Sequence, residues 1–252
     1  MGRRDHLNER VPHRQGVTLG SHDKAAAAVT ARLLRRERAN LLAVGVFGSV
    51  ARGEARRFSD LDILVVVRKR HARLRPEVLH GVLVTYHHLT AEEAREEVMG
   101  SGPWLNDTLG GWRSVQPRLD PKGLLRRWKR RAARPRTSQF DESARRDLFE
   151  TYEDLGKLRN AIADQDEEEA REMALWFTSA AAGSLLDLER HVTRTGRRMF
   201  IDARRLGAVG RAIWRLRYKG LPLPEMSLVA DRIWRGLLAR ARGRRLETAG
   251  LG

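Results

Sequence analysis

Two aspartates spaced by one residue, Asp60 and Asp62, open an apolar run from Ile63 to Val67, and a Gly-Ser pair, Gly48-Ser49, closes another from Leu42 to Phe47. Both runs are too short for buried helices and too apolar for loops, so each reads as a core strand. On a strand, side chains i and i+2 share a face, so Asp60 and Asp62 project together while Leu61 turns into the core. Paired carboxylates suit a hard divalent ion such as Mg²⁺, which takes oxygen ligands and fills its remaining positions with water and phosphate oxygens. Gly48 lets the backbone approach a phosphate closely. Ser49 adds a hydroxyl at the start of a short helix, where unpaired N–H groups favour an anion. Arg52, Arg56 and Arg57 lie between the two pairs and add positive charge. The chemistry this set could perform is metal-assisted handling of a triphosphate.

The elements that must hold these residues are legible on either side. A helix is expected over Ser21 to Arg38, strands over Val82 to Tyr86 and Ser114 to Leu119, and a Glu-rich helix over Ala91 to Met99. Beyond Pro135 the pattern changes to long amphipathic helices, Phe140 to Ile162, Glu167 to His191, Met199 to Tyr218 and Met226 to Arg242. The expected fold is therefore α+β. A small mixed sheet domain over 21–134, after an N-terminal tail of residues 1–20, precedes a helical bundle over 135–252.

Composition narrows the setting. The 252 residues carry 49 Lys and Arg against 32 Asp and Glu, a net charge of +17, and no cysteine. The last excludes disulfides and any cysteine nucleophile or ligand, and fits a reducing cytoplasm. Met1 to Gly20 has no apolar stretch, so a soluble, cytoplasmic chain with no membrane contact is expected. The charge would attract polyanions. Lys122, Arg126, Arg127, Lys129, Arg130, Arg131, Arg134 and Arg136 run without an intervening acid around Trp128, which reads either as a nucleic-acid contact or as a solvated helix end and linker.

The Gly48-Ser49 and Asp60-x-Asp62 pattern resembles the signature of the DNA polymerase β-type nucleotidyltransferase superfamily. A second segment, Glu153-Asp154-Leu155-Gly156-Lys157, is similar to the helix of the kanamycin nucleotidyltransferase-like branch. That resemblance implies that Glu153 is the catalytic base and that Lys157, one turn on, binds nucleotide phosphates. Read unaided, the i,i+4 spacing serves a shared cleft or an ordinary surface ion pair equally. Weaker similarity at Pro117-Arg118-Leu119-Asp120 and Thr195-Gly196-Arg197-Arg198 extends over most of the chain. The branch implies Mg²⁺, a nucleoside triphosphate with ATP foremost, a homodimer with its sites at the subunit interface, and an aminoglycoside-like acceptor. Glu150, Glu153 and the run Asp164-Gln165-Asp166-Glu167-Glu168-Glu169 could bind the acceptor's amines. RNA or tRNA as the acceptor, and a non-catalytic nucleotide-binding protein, are the competing readings.

One departure stands out. The superfamily places a third carboxylate on the next strand, and the position aligned with it here is Leu83. His87 and His88 could stand in, although neighbours on a strand face opposite ways.

Overall fold

A computed structural model describes residues 19–71, 74–248 and 250–251. The expected tail, residues 1–20, falls almost entirely outside them. Helix α1 (Leu19–Glu37) leads into β1 (Leu41–Phe47), the one-turn helix α2 (Gly48–Ala51), β2 (Leu61–Val67), β3 (Glu77–Leu79) and β4 (Val82–Thr90). Then come α3 (Ala91–Met99), α4 (Leu105–Ser114), β5 (Gln116–Leu119) and α5 (Leu124–Ala133). The rest is helical: α6 (Thr137–Ala163), α7 (Glu167–Leu188), α8 (Met199–Arg205), α9 (Ala208–Tyr218) and α10 (Leu223–Gly243). No helix among the described residues is long and apolar enough to cross a membrane.

The five strands form one mixed sheet in the order β3-β4-β2-β1-β5, with β2 and β4 parallel and the other pairs antiparallel. Its central strands are buried on both faces, which is why β1 and β2 read as continuous apolar runs. Leu61, Ile63 and Val65 pack against Ala25, Val29 and Leu33 of α1. On the opposite face Leu64 and Val66 meet Val98 of α3, Leu109 and Trp112 of α4, and Leu125 and Trp128 of α5. Thr90 starts α3 with a reciprocal capping box, its hydroxyl accepting from the Glu93 N–H while the Glu93 carboxylate takes the Thr90 N–H.

The helical half has its own core around Leu155, Phe177, Leu185, Ile233 and Leu237. Helix α6 serves both halves: Phe140 belongs to the sheet's core, and from Ala144 onward the helix packs in the bundle. Where the halves meet, Gln139 Nε2 donates to the carbonyls of Val98 and Gly100, and the Arg146 guanidinium to those of Ser101 and Gly102. Asn106 of α4 donates to Asp187 of α7 at 3.1 Å.

One expected helix needs correction, and some elements are new. The helix expected over Met199 to Tyr218 is broken into α8 and α9, because Gly207 lies at φ 91° and Gly210 brings α9 against the Ala203 carbonyl, 1.7 Å from where a Cβ would stand. Helices α4 and α5 and strand β3 are additions; Gly110 and Gly111 in α4 erase the apolar periodicity that would have marked it.

Candidate functional site

The C-terminal end of β1 lies beside the start of β2, with Phe47 paired to Asp62. That register places the Gly-Ser turn against the two carboxylates. Gly48 sits at φ 72°, the left-handed region open to glycine, and a Cβ built on it would stand 2.1 Å from Asp62 Oδ2. The turn and the carboxylate thus share a space that any side chain at position 48 would fill. The Gly48 N–H is already used, donating to Ser114 Oγ at 3.1 Å, so at this residue it is the bare backbone rather than a free donor that makes room.

Asp62 projects from β2 onto the face that carries α3 to α5, and its Oδ1 accepts the Thr85 hydroxyl of β4 at 2.8 Å. Burial is the main cause that raises its pKa, and the like charge of Asp60 adds to it; Thr85, Arg52 and Arg197 pull the other way. Asp60 is set by the turn before it, where the Arg56 N–H donates to Ser59 Oγ and the Ser59 N–H returns to the Arg56 carbonyl. His22 of α1 bonds the Ser59 carbonyl at 3.1 Å from below. Two like charges held together, one partly desolvated, form a site whose electrostatic demand is a cation. Among the described residues no group of three or more His, Asp or Glu could hold a metal, so the protein would supply two carboxylates and leave the rest of the shell to water and phosphate. The donor set fits Mg²⁺ on those terms.

These residues open into a cavity of about 820 Å³ that also receives the helical half. Its lining includes Gly48, Ser49, Arg52, Asp60 and Asp62, and, from the loop before α8, Arg194, Arg197 and Arg198. The loop comes this close because Gly110 of α4 has no side chain: a Cβ there would meet the Thr193 carbonyl oxygen at 2.0 Å. Asp107, the acid in the first turn of α4, accepts the Gly196 N–H and fastens the loop; burial is the main cause that raises its pKa. Arg52, only 12% exposed, donates to Glu54 at 2.8 Å, and Arg194 pairs with the same carboxylate at 2.6 Å. Five arginines and five carboxylates line the cavity, so despite the surplus of +17 over the whole chain the cleft is locally balanced.

Other expected residues lie elsewhere. Glu153 and Lys157 are exposed on α6, paired with each other at 2.8 Å, and do not line the cavity. Each shifts the other's pKa, Glu153 down and Lys157 up, chiefly through that hydrogen bond. Within one chain the surface-pair reading of the i,i+4 spacing therefore describes them. The acidic run at Asp166 to Glu169 starts α7, with Asp166 accepting the Glu169 N–H. The cavity's acids are instead Glu54, Glu97 and Asp107 beside the aspartate pair. Leu83 is 47% exposed, pairs with Val78 of β3 and is outside the cavity lining; the residue opposite Asp62 on β4 is Thr85, and the one that lines the cavity is His87. His88 faces the other way, half-buried, with both ring nitrogens enclosed and unpartnered among the described residues and its pKa lowered by burial.

The middle of the basic run, Arg126 to Arg131, lies in α5, and part of the run is committed to structure. Trp128 is buried edge-on to Trp112 with ring centres 5.6 Å apart, Lys129 donates to the Val115 carbonyl, and Arg136 to that of Met99. Asp120, at the end of the Pro117–Asp120 stretch, accepts the N–H groups of Leu125 and Arg126 and starts the helix.

Comparison with known proteins agrees with this geometry. No curated protein matches the chain significantly. A solved nucleotidyltransferase-like protein from Exiguobacterium sibiricum 255-15 aligns with a TM-score of 0.58 over 88% of this chain and 75% of its own, at 10% sequence identity, a likeness of fold that extends into the helical half. Residues 31–109, from within α1 into α4 and including Gly48, Ser49, Asp60 and Asp62, match the family model of the nucleotidyltransferase domain, which supports the nucleotidyltransferase superfamily for this part of the chain.

Proposed function

We propose that this chain is an Mg²⁺-dependent nucleotidyltransferase that moves a nucleoside monophosphate from a triphosphate, ATP foremost, to a hydroxyl of a small, amine-bearing acceptor of the aminoglycoside kind. The observation that carries the reading is the convergence of the Gly48-Ser49 turn, the Asp60/Asp62 pair and Arg194, Arg197 and Arg198 on one cleft. A triphosphate would lie along Gly48 and Ser49 with Arg52, Arg197 and Arg198 neutralising its oxygens. Asp60 and Asp62 would hold Mg²⁺, which supplies charge neutralisation on the phosphates and on the leaving pyrophosphate. Arginines contributed by both halves fix the phosphate chain relative to the acceptor, and such positioning is the main protein contribution to phosphoryl transfer. The cavity lies within the range of about 300–1,000 Å³ common for small-molecule sites, and its carboxylates match its arginines in number, so the cleft does not repel an amine-bearing acceptor as the whole surface would.

RNA as the acceptor is less well supported: Trp128, the aromatic residue within the basic run, is buried and has no face free for a base. Glu153 and Lys157 would reach a cleft only from a second copy of the chain docked on α6, and a homodimer of that kind is part of the proposal from the kanamycin-like resemblance. The test is transfer of label from [α-³²P]ATP to a panel of aminoglycosides and to total tRNA, in wild type and in Asp60→Asn and Asp62→Asn. Mg²⁺-dependent labelling of a small acceptor, lost in both variants with the fold intact, is expected. Full turnover in either variant would overturn the assignment.

A further inference from the structure

The cleft contains a histidine–carboxylate dyad that the motifs do not announce. His87 Nε2 lies 2.8 and 3.0 Å from the two oxygens of Glu97, and the Trp112 indole N–H donates to Glu97 Oε2 at 3.0 Å. All three residues line the cavity, and His87 remains accessible, with 43% of its side chain exposed. A carboxylate only accepts, so in the neutral imidazole the hydrogen sits on Nε2 and the lone pair is on Nδ1, to which no described residue donates. The Phe47 ring, 6.0 Å away, bounds the imidazole on the side of the Gly-Ser turn.

Register sets the distance to the aspartates. Thr85 is opposite Asp62, and His87 is two residues further along β4 on the same face. Two residues of strand cover about 7 Å and neighbouring strands lie about 4.8 Å apart, so the backbone at His87 is about 8 Å from that at Asp62. Reacting groups approach to about 3–3.5 Å, so the interval holds one phosphoryl group and one attacking hydroxyl in series. The other carboxylates of the cavity are engaged: Glu54 by Arg52 and Arg194, Asp107 by the Gly196 N–H, Asp60 and Asp62 at the proposed metal position.

We propose that His87, oriented by Glu97, is the general base of the transfer, acting within the same chain; this rests on the nucleotidyltransferase reading above. The acceptor O–H gives its proton to His87 Nδ1, and the oxygen lone pair forms a bond to the α-phosphorus. The bond from that phosphorus to the bridging oxygen breaks, and its electron pair leaves with pyrophosphate. The imidazolium then returns the proton to solvent. His87 is the catalytic residue and Glu97 a positioning residue.

The experiment joins two readouts. Long-range ¹H–¹⁵N NMR of histidine-labelled protein reports the His87 tautomer without any acceptor; Nε2–H in wild type and a mixture in Glu97→Gln are expected, and Nδ1–H in wild type would overturn the proposal. Calorimetry with α,β-methylene-ATP and Mg²⁺, followed by turnover of ATP with kanamycin A or whichever acceptor labels, is run on wild type, His87→Gln, Glu97→Gln and Glu153→Gln. His87→Gln should lose ~10²–10⁴-fold in kcat with analogue affinity within about threefold, and Glu97→Gln should fall between it and wild type. A loss of that size in Glu153→Gln with His87→Gln near wild type would overturn the dyad and leave the nucleotidyltransferase reading standing. Absence of Mg²⁺-dependent analogue binding in wild type would remove the reading on which the dyad rests, and the dyad with it.

Discussion

Replacing Gly48 with alanine tests the site's construction most directly, because the structure separates two costs that usually arrive together. The first is backbone strain: at φ 72° an added Cβ costs about 1–2 kcal/mol. For a domain of this size that corresponds to a melting temperature lower by roughly 2–8 °C. The second is local, since the new Cβ would stand 2.1 Å from Asp62 Oδ2, and the carboxylate must retreat by about 1.3 Å to reach an ordinary contact of 3.4 Å. Its other oxygen is held by Thr85, so the retreat turns the group away from the position it shares with Asp60. A displacement near 1 Å at a reacting centre costs on the order of 10²-fold in rate. Gly53 supplies the control. It has nearly the same conformation, φ 70°, with nothing within 4 Å of the added atom. Gly53→Ala should therefore repeat the loss of stability and spare the site. Melting by calorimetry, Mn²⁺ binding in the presence of ATP by electron paramagnetic resonance, and kcat on the labelled acceptor together read both costs. Equal losses of Mn²⁺ affinity in the two variants would refute the claim that turn and carboxylate compete for one space.

The aspartate pair is costly to the empty fold, so Asp62→Asn should raise the thermal midpoint by the equivalent of about 1 kcal/mol while abolishing transfer; a lower midpoint with activity lost would mean that Asp62 supports the strand rather than the chemistry. At the junction of the halves, burial first and then the charge of Asp187 push Asp147 up to about 7, against the pull of Arg146. The folded state thus holds a proton that the unfolded chain releases near pH 4, so stability should rise as pH falls from about 7 towards 4, and denaturant titration of Asp147→Asn should show a flatter profile over that interval. Because the proposed base and the aspartates belong to one chain, mixing Asp60→Asn with His87→Gln should restore no activity, whereas recovery of about a quarter of wild-type activity through mixed dimers would show that the site is shared between subunits. Gly156→Ala, in α6 with open space around the added atom, should stabilise the protein by up to about 1 kcal/mol.

How far the sequence carried depended on where the physics was local. Strands β1 and β2 were legible because burial on both faces leaves an unbroken apolar run, and α3 because its glutamate-rich stretch from Ala91 to Met99 is a helix former. The Gly-Ser and Asp-x-Asp pairs were legible as local patterns, although only Asp62 is placed by strand alternation and Asp60 is set by the turn before β2. Helix α4 was not, since the glycines that bring it against the Thr193 carbonyl remove the periodicity by which a helix is recognised. The break between α8 and α9 was missed because Gly207 and Gly210 look like tolerated helix interruptions until the Ala203 carbonyl is seen to occupy the space of a side chain.

The cleft itself shows why motif spacing misleads once two halves of a chain cooperate. Glu153 and Lys157 satisfy the spacing rule for a shared helix face, yet that rule says nothing about which way the face points, and in this chain it points outward. Arg194, Arg197 and Arg198 stand more than 130 residues from Asp60 and Asp62, and their arrival depends on Gly110 and Asp107, neither of which belongs to a motif. His87 and Glu97 are ten residues apart across a strand–helix turn, a separation with no fixed meaning until β4 aligns with β2 in the observed register. The missing acid is a matter of residue type and not of register. Leu83 is one step before Val84, which pairs with Leu61, and shares a face of β4 with Thr85 and His87, yet it stays outside the cavity lining; on the proposed mechanism His87, which lines the cavity and is held by Glu97, takes the proton without adding a further negative charge beside Asp60 and Asp62.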